Sequence, residues 1–187
     1  MQKYIIGLFC LLSAFGAYAG ENPLTNLGTF GVWTAYVYQG ADGKTCYMST
    51  EPEKSVGKYK KRDDVFLTIS HQPSDKNFDI VNVVAGYTYK KGSKPTITVD
   101  KKAAISLVSH ENGAWAKDNK TDKQLVSQMK AGSTAILRGT SKRGTATTDT
   151  FSLKGFSEMQ QFERVRFLMT LFLTTPNRPA FCLLVCI

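Results

Sequence analysis

The sequence predicts a mostly β chain: an antiparallel β-sandwich or barrel-like domain, with one short helix near residues 121–130 and a helical C-terminal segment. Three observations carry that prediction. Apolar and polar residues alternate with period two through the middle of the chain, as at Val65, Leu67 and Ile69. Turn signals such as Asp42-Gly43 and Asn112-Gly113 recur between the alternating runs. One stretch breaks the alternation with helical spacing, placing Leu125 and Met129 on a common face.

The elements follow in chain order. Lys3, the apolar run Tyr4 to Phe15 and the small-x-small triplet Ala17-Tyr18-Ala19 make a secretory signal peptide over residues 1–19, cleaved between Ala19 and Gly20. The run is too short to span a bilayer, so no transmembrane helix is expected in the mature protein. Export places the rest of the chain in the periplasm or outside the cell, where disulfides persist. Phe30 to Gln39 reads as a strand, turned at Asp42-Gly43 into Thr45 to Ser49. Asp64 to His71 alternates cleanly, and Phe78 to Tyr89 reads as one long strand bent at Gly86. Pro95 to Val99 and Ala103 to Ser109 flank Asp100-Lys101-Lys102, and Asn112-Gly113 turns the chain before Trp115.

Thr121 and Gln124 have capping-box spacing at the start of the helix, and Gly132 stands where its C-terminal cap would fall. Thr134 to Thr140 and Thr145 to Leu153 form a last hairpin around Ser141 to Gly144. Strands at this spacing separated by turns belong to sandwiches and barrels, here over residues 20–157. From residue 158 the character changes. Met159, Phe162 and Val165 share a helical face capped by Ser157 and Gln160, and Phe167 to Leu173 is nearly all apolar before Pro176 and Pro179 break the run. This tail, 158–187, reads either as a hydrophobic flap or as a poorly ordered, aggregation-prone extension, the second being favoured.

The formal charge is +9, one less once Lys3 is removed with the signal. That excess favours anionic partners. Two basic clusters concentrate it: Lys58, Lys60, Lys61 and Arg62 with Tyr59 among them, and Arg138, Lys142 and Arg143 around the late hairpin. Solvated turn charge is the default reading of both clusters; if the fold brings them together, they would form a patch for an anionic surface. Export argues against nucleic acid as the partner. Trp33 alternates with Ala35 and Val37, and core packing is expected for both Trp33 and Trp115.

Signals for catalysis are sparse. The histidines, His71 and His110, lie far apart without a metal-binding motif, and no G-x-S-x-G nucleophile turn is present. No cofactor or metal site is predicted. Cys46 in a strand of an exported protein reads as half of a disulfide, and the late thiols Cys182 and Cys186 are its candidate partners.

Several segments together resemble the invasion-associated locus B protein family. Phe30-Gly31-Val32-Trp33-Thr34-Ala35-Tyr36-Val37 followed by Cys46-Tyr47 is similar to that family's opening strands. Val84-Ala85-Gly86-Tyr87 and Gly113-Ala114-Trp115 are similar to its middle, and Arg138 to Phe156 resembles its closing signature. The resemblance covers roughly Leu27 to Ser157. It implies an exported α-proteobacterial envelope protein of compact β fold, linked in pathogens to host-cell invasion, with no established catalytic residues. The chain departs from the pattern after Ser157, where similar proteins continue through a short alanine-rich helix to a cysteine that pairs with the equivalent of Cys46. A frameshift near the end of the reading frame would account for the change. The expected function is therefore non-enzymatic binding to an envelope or host macromolecule. The alternative is a small periplasmic hydrolase or ligand-binding protein with a cleft near His71 or His110.

Overall fold

The computed structural model describes residues 24–41 and 43–161. The predicted signal peptide with its Ala19–Gly20 cleavage site, Cys182, Cys186 and the tail from residue 162 lie outside the described residues.

The strands form two antiparallel sheets, a sandwich rather than a closed barrel. The larger has the order β1-β2-β3-β5-β6-β10-β9, built from β1 (Leu24–Phe30), β2 (Trp33–Gly40), β3 (Gly43–Thr50), β5 (Phe66–Gln72), β6 (Asn77–Val84), β9 (Val108–His110) and β10 (Gly113–Trp115). The smaller has the order β4-β12-β11-β7-β8, built from β4 (Lys54–Gly57), β7 (Thr96–Val99), β8 (Ile105–Ser106), β11 (Thr134–Thr140) and β12 (Ala146–Ser152). Alternation decides which side chains meet between the sheets. Trp33, Met48, Leu67, Ile69, Val81 and Val83 come from the larger sheet, and Ile97, Val99, Ala135, Leu137 and Phe151 from the smaller, in one continuous buried cluster.

Helix α1 (Asn119–Lys130) closes one side of the sandwich with Leu125, Val126 and Met129. Its cap differs from the expected one. Asp118 is the N-cap and accepts the Thr121 N–H, so the helix begins before Thr121, and Thr121 supplies the third helical residue. Asp122 ties the helix to the sheet by accepting the Val81 N–H at 2.9 Å.

Other boundaries also differ from the sequence reading. Phe30 to Gln39 is not one strand, because residues 31–32 turn the chain between β1 and β2. The expected long strand to Tyr89 stops at Val84, since Gly86 (φ +66°) leads the backbone out of the sheet. Ala103 to Ser109 splits at buried Leu107: β8 belongs to the smaller sheet and β9 to the larger. A single alternating run cannot show where a chain changes sheets. Trp33 is fully buried and its indole N–H donates to the Ser152 carbonyl, but Trp115 is 38% exposed on the outer face of β10.

Burial continues past Ser157. Residues 156–161 are helical, Phe156 and Met159 are buried in the core, and Phe156 meets Trp33 edge to face at 5.0 Å. Ser157 is inside this helix rather than capping it, and its hydroxyl donates to the Lys130 carbonyl at the end of α1.

Candidate functional site

The inward register of β12 carries Thr147, Asp149 and Phe151. A carboxylate at such a position requires a partner, because an unpaired charge inside a core is costly. Arg62 provides it. From the link between β4 and β5, its Nη1 and Nη2 donate to Asp149 Oδ1 and Oδ2 at 2.7 Å each. Its Nε donates to the Ala85 carbonyl at 2.7 Å, just beyond β6. One guanidinium thus joins the smaller sheet to the larger. Tyr59 and Tyr87 lie with their rings 5.5 and 4.9 Å from its central carbon, in cation–π contact. Burial disfavours the Arg62 cation, but the Asp149 hydrogen bonds and charge outweigh that and hold its pKa above the ordinary value.

Above this pair lies a cleft of about 670 Å³. One wall is the 58–63 segment; the other is the hairpin between β11 and β12. Lys58, Lys60 and Lys61 line it together with Lys142 and Arg143, with Asp63 as an acidic member of the lining. Tyr59, Tyr87, Thr88 and Thr145 complete the surface together with buried Ser141 and Thr147. Tyr87 Oη and Thr147 Oγ1 are hydrogen-bonded at 2.7 Å, and burial raises the Tyr87 pKa.

Gly86 allows the first wall to sit where it does. Its φ of +66° is left-handed, and a Cβ there would overlap the Asp63 carbonyl. Backbone contact is completed by the Asp63 N–H donating to the Gly86 carbonyl at 3.1 Å.

The fold therefore unites most of the two basic clusters. Lys58, Lys60, Lys61, Lys142 and Arg143 share the cleft. Lys60 and Lys61 also border a shallower depression on the other side of their segment, beside Glu51 and Asp64. Arg62 is not a surface cation, since its side chain is 5% exposed and engaged with Asp149. Arg138 points away, into a neighbouring groove with Lys94 and Thr96. Sequence reading missed Asp149, Tyr87 and Gly86 as parts of this site. The signal for Asp149 was present, as an acid in phase with Phe151 on an alternating strand.

The histidines are placed elsewhere. His71 Nδ1 accepts the Asp79 N–H at 3.0 Å, His110 is exposed on β9, and neither lines the cleft. Cys46 is fully buried on β3, while its candidate partners lie outside the described residues. Among the described residues no group of three or more His, Cys, Asp or Glu side chains could hold a metal ion, and no helix is long and apolar enough to cross a membrane.

Comparison with known proteins places the chain. The family model described as invasion associated locus B (IalB) protein matches residues 33–161, more than half of the sequence. The chain belongs to the IalB family. The match starts at the buried Trp33 and takes in both cleft walls and the Arg62–Asp149 pair. It also reaches past Ser157 to the end of the described helical residues. A crystal structure of invasion associated protein B from Bartonella henselae is similar in fold, with a TM-score of 0.51. At 20% identity the likeness covers 78% of this IalB chain and 99% of the Bartonella chain. No curated protein matches the sequence.

Proposed function

We propose that this IalB-family chain is an exported, non-enzymatic envelope protein that binds an anionic macromolecule through the cleft between residues 58–63 and 141–145. The supporting observation is convergence: cations remote in sequence line one concave surface. Electrostatic attraction of this kind accelerates encounter and selects against cationic partners. The signal-peptide pattern over residues 1–19 supports a location in the periplasm or beyond. A disulfide from Cys46 to Cys182 or Cys186 would suit that compartment. In pathogens the same binding would serve attachment to host cells.

The experiment is charge reversal on the mature protein. Lys60→Glu, Lys142→Glu and Arg143→Glu together should abolish salt-sensitive binding to phosphatidylglycerol vesicles. Arg138→Glu, outside the cleft, should weaken binding much less. Equal binding by the triple variant and the native chain would refute the proposal. A histidine-dependent hydrolase would instead lose function in His71→Asn/His110→Ala, where Asn keeps an acceptor for the Asp79 N–H. The cleft reading expects that variant to bind like the native chain.

A further inference from the structure

Both cationic walls hang from the same stretch of backbone. The Gly86 carbonyl holds the 58–63 wall through the Asp63 N–H. Two residues on, the Thr88 carbonyl accepts the Lys142 N–H at 2.7 Å, and the Lys90 N–H donates to the Thr140 carbonyl at 2.9 Å. A β-bridge between Tyr89 and Ser141 lies between these bonds. The hairpin is closed on itself as well. The Ser141 N–H donates to the Thr145 carbonyl, the Gly144 N–H to the Ser141 carbonyl, and the Thr145 N–H to the Ser141 hydroxyl. Beneath, the Arg62–Asp149 pair fixes the first wall to β12. The spacing of the two cationic walls is therefore set before any ligand arrives, which lowers the ordering cost of binding.

A preorganised concavity selects by shape as well as by charge. Its volume of about 670 Å³ admits a small-molecule-sized group, free or projecting from a larger anionic partner. Lys58, Lys60, Lys61, Lys142 and Arg143 outweigh Asp63, so the ligand must carry concentrated negative charge. Thr88 and Thr145 add hydroxyl-bearing side chains to the lining, and Tyr59, 37% exposed, adds apolar surface, a mixture that suits a polyhydroxylated ring with apolar faces. We infer that the cleft is a site for a phosphomonoester borne on a sugar ring. This inference rests on the cleft being the binding face. The sugar phosphate can be soluble or the head group of a glycolipid; the recognition chemistry is shared.

The test uses the mature chain and defined probes. Calorimetric titration with glucosamine 1-phosphate should show affinity at least about tenfold above that for inorganic phosphate. Lys142→Arg and Lys61→Arg preserve charge but change donor geometry, and each should weaken glucosamine 1-phosphate binding roughly tenfold. Arg138→Lys should bind as the native chain does. Phosphatidylcholine vesicles carrying a phosphorylated diglucosamine lipid distinguish the sources. Flotation with these vesicles identifies a lipid head group, titration with the soluble probe a free sugar phosphate, and either result supports the site. If the Lys→Arg variants bind normally, or if inorganic phosphate or RNA binds as tightly as the sugar phosphate, the cleft is a diffuse cationic patch. The inference then falls while the anionic-surface reading stands. Failure of all phosphate probes and of phosphatidylglycerol vesicles overturns both.

Discussion

Arg62 and Asp149 form a two-pronged ion pair inside the sandwich, with side chains 5% and 0% exposed. The pair connects a loop rich in surface lysines to an inward position of β12. It is the anchor of the basic cleft, and it explains why one member of a run of similar cations behaves unlike the others. Arginine suits this position because its planar fork matches a carboxylate and still leaves Nε for the Ala85 carbonyl.

Removing either partner leaves the other buried and unpaired. Arg62→Ala or Asp149→Ala should each destabilise the protein by about 3–5 kcal/mol, read from urea unfolding. The double variant Arg62→Met/Asp149→Leu should recover most of that loss, because no lone charge remains. A double variant as unstable as the sum of the singles would contradict this account.

Neighbouring tyrosines should respond in opposite ways. Tyr89 is buried, its hydroxyl has no hydrogen-bond partner among the described residues, and burial raises its pKa strongly. Tyr89→Phe removes that hydroxyl and keeps the edge-to-face contact with Tyr87 at 5.2 Å, so the melting temperature should hold or rise. Tyr87→Phe breaks the bond to Thr147 and should cost about 0.5–1.5 kcal/mol.

Asp122 sets a pH dependence. Burial raises its carboxyl pKa, the Val81 N–H opposes that, and the charges of Asp118 and Asp79 add to the rise. The folded state therefore holds the proton more tightly than the unfolded chain. Ionised Asp122 costs stability above its folded pKa, and the cost disappears as pH falls below the ordinary value of 3.8. Asp122→Asn, which retains an acceptor for Val81, should melt higher than the native chain at neutral pH. The gap should close on acidification, as followed by thermal melts across that range. A gap that widens in acid would show that the sign is wrong.

At Gly86 a methyl group should damage both stability and binding. Gly86→Ala adds strain at positive φ and an overlap with the Asp63 carbonyl, so the 58–63 wall must move. Gly92 also has positive φ, but a Cβ there meets nothing within 4 Å. Gly92→Ala should cost only about 1 kcal/mol and leave vesicle binding intact. Comparing the two by melting and flotation separates conformational strain from displacement of the cleft.

Much of the sandwich was readable along the chain. Val65, Leu67 and Ile69 alternate as predicted and are buried, and the β11–β12 hairpin turns at the expected Ser141 to Gly144, with β12 starting one residue later than expected, at Ala146. The errors lie where long-range geometry overrides a local pattern. Leu107 carries the chain from one sheet to the other, and Gly86 takes it out of a strand whose apolar pattern continues to Tyr89. At the site, the basic clusters were visible, but their members were indistinguishable. Arg62 looks like Lys61 in sequence, and Arg138 like Arg143.

The sequence by itself determined the β character, the strand faces and the two basic turns, because side-chain alternation and turn chemistry are properties of a few consecutive residues. Tertiary structure alone decided that β4 pairs with β12, that Asp149 draws Arg62 inside, and that Lys58, Lys60 and Lys61 share a cleft with Lys142 and Arg143. Those outcomes depend on which distant strands pair and on the cost of leaving a buried carboxylate alone, and neither is written in any local stretch of the chain.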